Sequence, residues 1–210
     1  MTQAPGMSKR RVILAAAIFL PMFFAVHGPA LAAEPLTQEQ IVNALTPART
    51  RSLTLTPGES AATAQAQLPD SMRNRPAHSL TPGERDQITA LAASRPSIDI
   101  EISFDFRSAK ISRAAATTVD MLGKALSNPD LKGSTFVLAG HTDAKGSLSY
   151  NQELSEKRVD TVRHYLVTHF KLPPASLVAV GYGKTRLKNE SDPLGPENRR
   201  VQVVNMSDNN

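Results

Sequence analysis

The most regular hydrophobic pattern in the chain is an alternation of apolar and polar residues over positions 98–106. Successive side chains of a strand point to opposite faces of a sheet, so this pattern predicts a half-buried β-strand. Three further runs, at 135–139, 177–182 and 200–205, also predict strands. The first of these runs is rich in β-branched and aromatic residues and is expected to be buried.

Two segments between these strands have helical spacing. Ser112 is the expected N-cap of the first, and the Asn-Pro pair at 128–129 ends it. The second begins at Ser149, which forms a capping box with Gln152, and is ended by the Pro-Pro pair at 173–174. Helices that link parallel strands cross over on one face of a sheet, and the alternation leaves the other face partly exposed. The order β-α-β-α-β-β therefore predicts an α/β fold, a two-layer sandwich with a mixed sheet.

One face of the second helix combines apolar residues with an arginine. At about 100° per residue, the apolar arc contains Leu154, Val159, Val162, Tyr165, Leu166 and Phe170. The polar residues outside this arc are Glu153, Glu156, Lys157 and Asp160. Arg158 falls inside the arc, and a half-buried guanidinium is tolerated only when it is paired and hydrogen-bonded. The expected partner is Asp143, which comes just after the strand at 135–139.

Asp143 and Arg158 allow two interpretations. In one, they form an ion pair that only fixes the strand to the helix. In the other, they hold a zwitterionic ligand, because a carboxylate binds an ammonium and a guanidinium binds a carboxylate through two parallel hydrogen bonds.

The residues around this pair resemble a known domain family. Positions 140–158 have the sequence Gly-His-Thr-Asp-x-x-Gly-x-x-x-Tyr-Asn-x-x-Leu-Ser-x-x-Arg, and Gly-Tyr-Gly at 181–183 and Asn-Arg-Arg-Val at 198–201 follow in order. Together with Phe-Asp-Phe-Arg-Ser-Ala at 104–109, these motifs resemble the OmpA-like (OmpA/MotB C-terminal) peptidoglycan-binding domain. The loop at 195–200 departs from the usual Gly-Arg-x-x-Asn-Arg-Arg of that family, because it is shorter and lacks the first arginine.

The resemblance implies a ligand and a set of binding residues. It implies that Asp143 binds the amine, and Arg158 the carboxylate, of diaminopimelate in a peptidoglycan stem peptide. Asn151, Thr142 and Asp105 are implied as further contacts. No catalytic residue, metal ligand or cofactor is implied.

The resemblance and the composition divide the chain into four parts. Residues 1–32 have a basic start, an apolar run and a small-x-small site, which predict a signal peptide, with an uncleaved anchor as the alternative. The composition of residues 33–97 predicts a linker with short helices, and the part of this linker at 59–78 is expected to be solvated. The resembling domain is placed at 98–206 and a tail at 207–210.

Two patterns mark the expected short helices of the linker. One is a capping box, Thr37-Gln38-Glu39-Gln40, before a run of apolar residues. The other is the run at 85–93, where Ile88 and Leu91 lie three positions apart, after Leu-Thr-Pro-Gly-Glu at 80–84, which also occurs at 55–59. The two copies are either a degenerate repeat or two helix starts with an early proline.

Charge and motif content disfavour several functions. The net charge is +5, but three of the 24 basic residues lie in the leader, and the remaining chain has 21 − 19 = +2. Nucleic acid is therefore not an expected partner. His141 and Asp143 lack the further ligands of a zinc site, and we expect the His141 ring to bond the backbone and His169 to lie in the core or at its rim. No Gly-x-Ser-x-Gly motif predicts a serine hydrolase, and the absence of cysteine removes disulfides and a lipid attachment site.

These observations predict a non-enzymatic protein that binds peptidoglycan and is exported to the periplasm or cell envelope, where an association with the outer membrane is left open. The alternative is an envelope assembly or stator-like structural protein that binds a partner protein through residues 33–97. A cell-wall hydrolase is the enzymatic alternative.

Overall fold

The computed structural model describes residues 36–47, 68–105 and 107–207. The helices are α1 (Gln38–Leu45), α2 (Pro82–Ala92), α3 (Arg113–Leu126) and α4 (Leu148–Phe170). The strands are β1 (Ser97–Ile100), β2 (Phe136–His141), β3 (Leu177–Gly183) and β4 (Val201–Asn205). Within this described part of the chain, no helix is both long and apolar enough to cross a bilayer.

The strands form one mixed sheet in the order β1-β4-β2-β3. Strands β2 and β3 are parallel, and β4 lies antiparallel to both β2 and β1. A helix follows β1 and another follows β2, so the predicted order β-α-β-α-β-β and the mixed sheet are confirmed. Helices α1, α3 and α4 bury one face of the sheet around Leu138, Leu122, Val159 and Leu166.

The first strand is shorter than the alternation predicted. Strand β1 ends at Ile100, whereas the prediction extended it to residue 106. Ile100 pairs with Val201, the first residue of β4, so the residues after Ile100 have no strand to pair with. Ile102 is nevertheless buried, and Phe104 makes an isolated bridge to Ile111. Phe106 lies outside the described residues.

Helix α4 begins before its predicted N-cap. Ser147 is the N-cap, and its side chain accepts a hydrogen bond from the Tyr150 backbone amide at 3.2 Å. The predicted capping box between Ser149 and Gln152 is therefore wrong, because the chain already turns into the helix after Gly146, whose φ is +96°. The Gln152 side chain instead donates to the Gly181 carbonyl at 2.7 Å, which ties α4 to β3.

The second face of the sheet is covered, contrary to the prediction that it is partly exposed. The cover, residues 68–92, ends in α2. Its apolar residues Leu68, Met72, Leu80 and Ile88 share a core with Val137, Val178, Val180 and Val204 of the sheet. Asp160 of α4 also holds the cover, since its two carboxylate oxygens accept the Ala77 backbone N–H, each at 3.1 Å.

The solvated linker predicted over 59–78 is therefore wrong where the structure describes it, at 68–78. The alternating pattern of β1 could not indicate this cover, because the apolar residues on the second face of the sheet belong to β2, β3 and β4. The predicted capping box at Thr37 is confirmed. The helix expected after the second Leu-Thr-Pro-Gly-Glu is α2, and it begins behind a capping box of Thr81 and Glu84 that was not predicted. The first Leu-Thr-Pro-Gly-Glu copy, the predicted leader and most of the predicted tail lie outside the described residues. The predicted domain boundaries remain predictions.

Two glycines let α4 lie directly on the ends of β2 and β3. A Cβ atom on Gly140 would approach the Ser155 carbonyl oxygen to 2.7 Å, and one on Gly181 would approach the Glu156 backbone nitrogen to 2.8 Å. A larger residue at either position would push the helix away from the sheet. This close packing brings the middle of α4 next to the loop that follows β2.

Candidate ligand-binding site

A pocket of about 630 Å³ opens where β2 ends and α4 begins. It is lined by residues of the segment at 104–107, of the loop at 142–147 and of the first turns of α4, and by Arg199. The full lining is Phe104, Arg107, Thr142, Asp143, Lys145, Gly146, Ser147, Tyr150, Asn151, Leu154, Arg158 and Arg199. This volume is in the range of small-molecule sites, about 300 to 1,000 Å³.

Internal hydrogen bonds fix the loop at 142–147. One carboxylate oxygen of Asp143 accepts the Lys145 backbone N–H at 3.1 Å. The Asn151 side-chain amide donates to the carbonyls of Lys145, at 2.8 Å, and of Ser147, at 3.0 Å. Gly146 completes the turn, because its φ of +96° is a conformation that other residues rarely adopt. The loop therefore presents the Asp143 carboxylate in a defined position.

Arg158 is half buried, as predicted, but it has no carboxylate partner. Its Nε donates to the Ser108 carbonyl at 3.0 Å, and its guanidinium carbon lies 4.9 Å from the centre of the Phe104 ring. Burial lowers the pKa of Arg158, while Tyr150 and Asp143 oppose this shift. The group stays charged, since an arginine does not lose its proton in a protein. Its two terminal nitrogens make no hydrogen bond or ion pair to any residue that the structure describes.

The predicted ion pair between Asp143 and Arg158 is not formed. Asp143 pairs instead with Arg199, whose Nη1 lies 3.1 Å from the second carboxylate oxygen. The Ser108 carbonyl and the Phe104 ring hold the Arg158 guanidinium on the other side of the pocket, and Arg199 reaches Asp143 from the turn before β4. The side chains of Asp143 and Arg199 are 19% and 44% exposed, so the pair is accessible to solvent and contributes little to stability.

Of the three further contacts that the resemblance implies, two line the pocket and one does not. Thr142 and Asn151 are buried and line the pocket. Thr142 anchors the loop to β3, because its backbone amide donates to the Gly183 carbonyl at 2.9 Å. Asp105 is exposed and does not line the pocket, and its carbonyl accepts a turn hydrogen bond from Ser108 at 3.0 Å.

Sequence reasoning did not name eight of the twelve lining residues as site residues, among them the cations Arg107, Lys145 and Arg199 and the aromatic Tyr150. Arg107, Tyr150 and Arg199 belong to the quoted motifs, which could have pointed to them. Arg107 has a φ of +55°, and its guanidinium lies 5.6 Å from the Tyr150 ring centre. With Arg158, the lining contains four cationic side chains and one carboxylate. The pocket is therefore suited to a ligand with more negative than positive charge.

The histidines take other roles. In the described ranges, no group of three or more His, Asp or Glu side chains could hold a metal ion. The predicted contact of the His141 ring with the backbone is made to Arg186, although its geometry is outside that of a normal hydrogen bond. The ring also stacks on Tyr182, with ring centres 5.5 Å apart. His169 is an exposed rim residue and stacks on Tyr165 at 4.1 Å.

Comparison with known proteins identifies the domain that carries this pocket. The OmpA family matches residues 103–200. The chain is 36% identical over 104 residues to the peptidoglycan-associated lipoprotein of Pseudomonas aeruginosa, covering 48% of this chain and 58% of that protein. It is 38% identical over 85 residues to outer membrane protein A of Klebsiella pneumoniae, covering 40% of this chain and 24% of that protein.

Two solved structures are also similar to part of this chain. The peptidoglycan-associated lipoprotein of Burkholderia pseudomallei is 26% identical, with a TM-score of 0.42, and the match covers 54% of this chain and 91% of that one. The periplasmic domain of Helicobacter pylori MotB is 21% identical, with a TM-score of 0.45, and the match covers 54% and 77%. The predicted OmpA-like domain is thus confirmed by the family match and by the curated relatives: residues 103–200 of this chain form an OmpA-family domain.

Proposed function

We propose that this chain binds peptidoglycan without cleaving it, and that the pocket at the end of β2 holds the diaminopimelate of a stem peptide. The observation that carries this proposal is the arrangement of Asp143 and Arg158. Both line one pocket, they are not paired with each other, and the terminal nitrogens of Arg158 are not used by the described protein. A purely structural ion pair would have joined the two groups directly.

The chemistry of the pocket suits the free end of diaminopimelate, which carries an ammonium and a carboxylate on one carbon. The planar guanidinium of Arg158 donates two parallel hydrogen bonds to that carboxylate. The ammonium binds Asp143 in place of Arg199, and this exchange costs little because exposed ion pairs are worth about 0.2 to 1 kcal/mol. Arg199 is then available to a second carboxylate of the ligand.

The pocket is better suited to binding than to hydrolysis. Glycoside hydrolysis generally uses two carboxyl groups on either side of the bond that is cleaved. The lining residues supply one carboxylate, Asp143, and surround it with cations. One of the relatives is named a peptidoglycan-associated lipoprotein, which agrees with a binding role.

The proposed setting is the periplasmic side of the cell envelope, to which the predicted leader directs the chain. An assembly role, in which residues 33–97 bind a partner protein, is a further prediction. In the described part of that segment, α1 and the cover bury their apolar residues on the domain itself. A partner protein would therefore contact the exposed faces of α1 and of the cover.

Co-sedimentation with purified sacculi of the diaminopimelate type tests the proposal. Wild type should sediment with the sacculi, whereas Asp143→Ala and Arg158→Ala should remain in the supernatant. Matched controls are Asp130→Ala, an exposed acid beyond the opposite end of β2, and Arg163→Ala, which lies on α4 but does not line the pocket. Undiminished sedimentation of Asp143→Ala, with the fold verified by circular dichroism, would refute the proposed site.

A further inference from the structure

A second cavity lies on the other face of the sheet, under the cover. It has a volume of about 200 Å³ and is bounded by α2 above and by side chains of all four strands below. Its apolar wall includes Ile88, Val137, Ala139 and Val204. The volume exceeds the roughly 150 Å³ of an engineered cavity that binds benzene. The exposed residue Ala93 also lines it, so the cavity reaches the protein surface.

Two buried polar groups at one end of this cavity lack hydrogen-bond partners. Both ring nitrogens of His141, a residue that is only 4% exposed, lack a hydrogen bond of normal geometry among the described residues, and the ring makes only a poorly aligned contact with the Arg186 backbone. Nη1 of Arg200 is likewise buried and without a partner, although Nε of the same side chain is 3.1 Å from Asp99. The two residues are neighbours, because the His141 backbone amide donates to the Arg200 carbonyl at 2.9 Å. Unpaired buried donors are costly, and native proteins leave few of them.

The charges around the cavity favour an anionic ligand. Arg200 and Lys188 both bind Asp99, and Arg186 binds Asp86, so three cations face two carboxylates. Burial, followed by the charge of Arg200, lowers the pKa of His141 to about 3, so the ring is neutral at physiological pH. A neutral imidazole offers one N–H donor. Arg200 and His141 together therefore present two donors to one acceptor group.

We propose that this second cavity is a binding site for a small monocarboxylate with an aromatic or short aliphatic body. The carboxylate accepts hydrogen bonds from Arg200 Nη1 and from the His141 ring, and the apolar body lies against Ile88 and Val137. The site is separate from the pocket of Asp143 and Arg158, which lies at the end of β2 beside the first turns of α4 and contains none of these four residues.

Benzoate is a suitable probe, with benzyl alcohol as a neutral compound of the same shape. Each is titrated into the full-length chain labelled with ¹⁵N, while the amide signals of α2 and β4 and the ring nitrogens of His141 are followed by NMR. We expect saturable binding of benzoate, with a dissociation constant on the order of a millimolar for so small a ligand. Benzyl alcohol should bind at least about tenfold more weakly, because it lacks the charge that Arg200 recognises.

Three variants distinguish the proposed site from the pocket beside α4. Arg200→Gln removes the cationic donor, and Ala92→Leu fills the cavity from α2 without touching the ion pairs. Both should weaken benzoate binding at least about tenfold, and Ala92→Leu remains informative if Arg200→Gln does not fold. Arg158→Ala should leave it unchanged. The proposal is overturned if Arg158→Ala abolishes binding while Ala92→Leu retains it, or if benzoate shows no saturable binding and the cavity holds water only.

Discussion

Glu156 and Arg158 stand two positions apart on α4 but belong to two different charge sites. Glu156 faces the cover, where Gln152 donates to its carboxylate at 2.6 Å and Arg85 Nη1 lies 3.5 Å away. Arg85 also donates to the Leu80 carbonyl at 2.7 Å, so this site is satisfied within the protein. Arg158 faces the pocket, where the protein occupies only its Nε.

The contrast shows how a stabilising charge site differs from a binding site on the same helix. The site at Glu156 joins the cover to α4 and uses its polar atoms internally. The site at Arg158 is supported from behind by a carbonyl and an aromatic ring, and the groups that could bind a ligand face the pocket. Variants of the first should therefore change stability, and variants of the second should change binding.

The largest expected effect is the loss of wall binding in Arg158→Lys, which should be nearly as severe as in Arg158→Ala. A lysine retains the charge but not the planar pair of donors that meets a carboxylate at two points. We expect affinity for sacculi to fall at least about tenfold in both variants, since a charged hydrogen bond is worth about 1.5 to 3 kcal/mol. Co-sedimentation at increasing sacculus concentrations measures this. Binding by Arg158→Lys at the wild-type level would show that charge alone suffices.

Arg85→Ala should lower stability but leave wall binding intact. This variant leaves Glu156 buried with one neutral donor, so the free energy of unfolding should fall by about 1 to 3 kcal/mol. The loss should lie below that of a fully buried pair, because the Arg85 side chain is 18% exposed. Urea denaturation measures the change, and the folded variant should still bind sacculi. If binding is lost while the fold is intact, the two charge sites are coupled.

Val162→Ala tests the core between the two sites. Val162 is fully buried in the core that α4 forms with the sheet, so its truncation should lower the free energy of unfolding by about 1 to 3 kcal/mol through cavity formation. Thermal and urea denaturation give the size of the loss. Sacculus binding should persist in the folded variant, and its complete loss would mean that the core and the pocket are not separable.

The smallest expected effect is a pH dependence of stability in the cover. The hydrogen bond from Arg75, followed by that from the Thr81 amide, lowers the pKa of Glu84 from 4.5 to about 2. A carboxyl whose pKa is depressed by folding stabilises the protein above its unfolded pKa, and this contribution is lost as the pH falls through the folded pKa.

Glu84→Gln keeps the capping geometry but removes the charge. The stability of this variant should therefore fall less than that of wild type between pH 4.5 and about 2. Urea denaturation at a series of pH values measures the difference. Parallel curves for the two proteins would show that Glu84 does not contribute to the pH dependence.

The sequence predicted the order of strands and helices because that order depends on local periodicity. It did not predict the partners of Glu156 and Arg158. The helical wheel placed Glu156 outside the apolar arc, yet this residue is buried, because it packs against Gly181 of β3 and lies beside Arg85. The wheel placed Arg158 correctly, but whether Asp143 pairs with Arg158 or with Arg199 depends on where the turn before β4 folds.

The cover was missed for a similar reason. Residues 68–80 are rich in proline and polar residues, and their few apolar side chains have neither helical nor strand spacing. Their burial depends on a tertiary contact with β2 and β3, which no local pattern encodes. The motif from 140 to 158 could be recognised because its glycines and polar residues are required by the close packing of α4 and by the turn at Gly146.

Calorimetric titration with two stem peptides tests the zwitterion site most directly. One peptide contains diaminopimelate, and the other contains lysine in its place, which lacks the carboxylate at the free end. We expect the diaminopimelate peptide to bind wild type at least about tenfold more tightly than the lysine peptide, and we expect this preference to disappear in Arg158→Ala. Equal affinity of wild type for the two peptides would refute the zwitterion site.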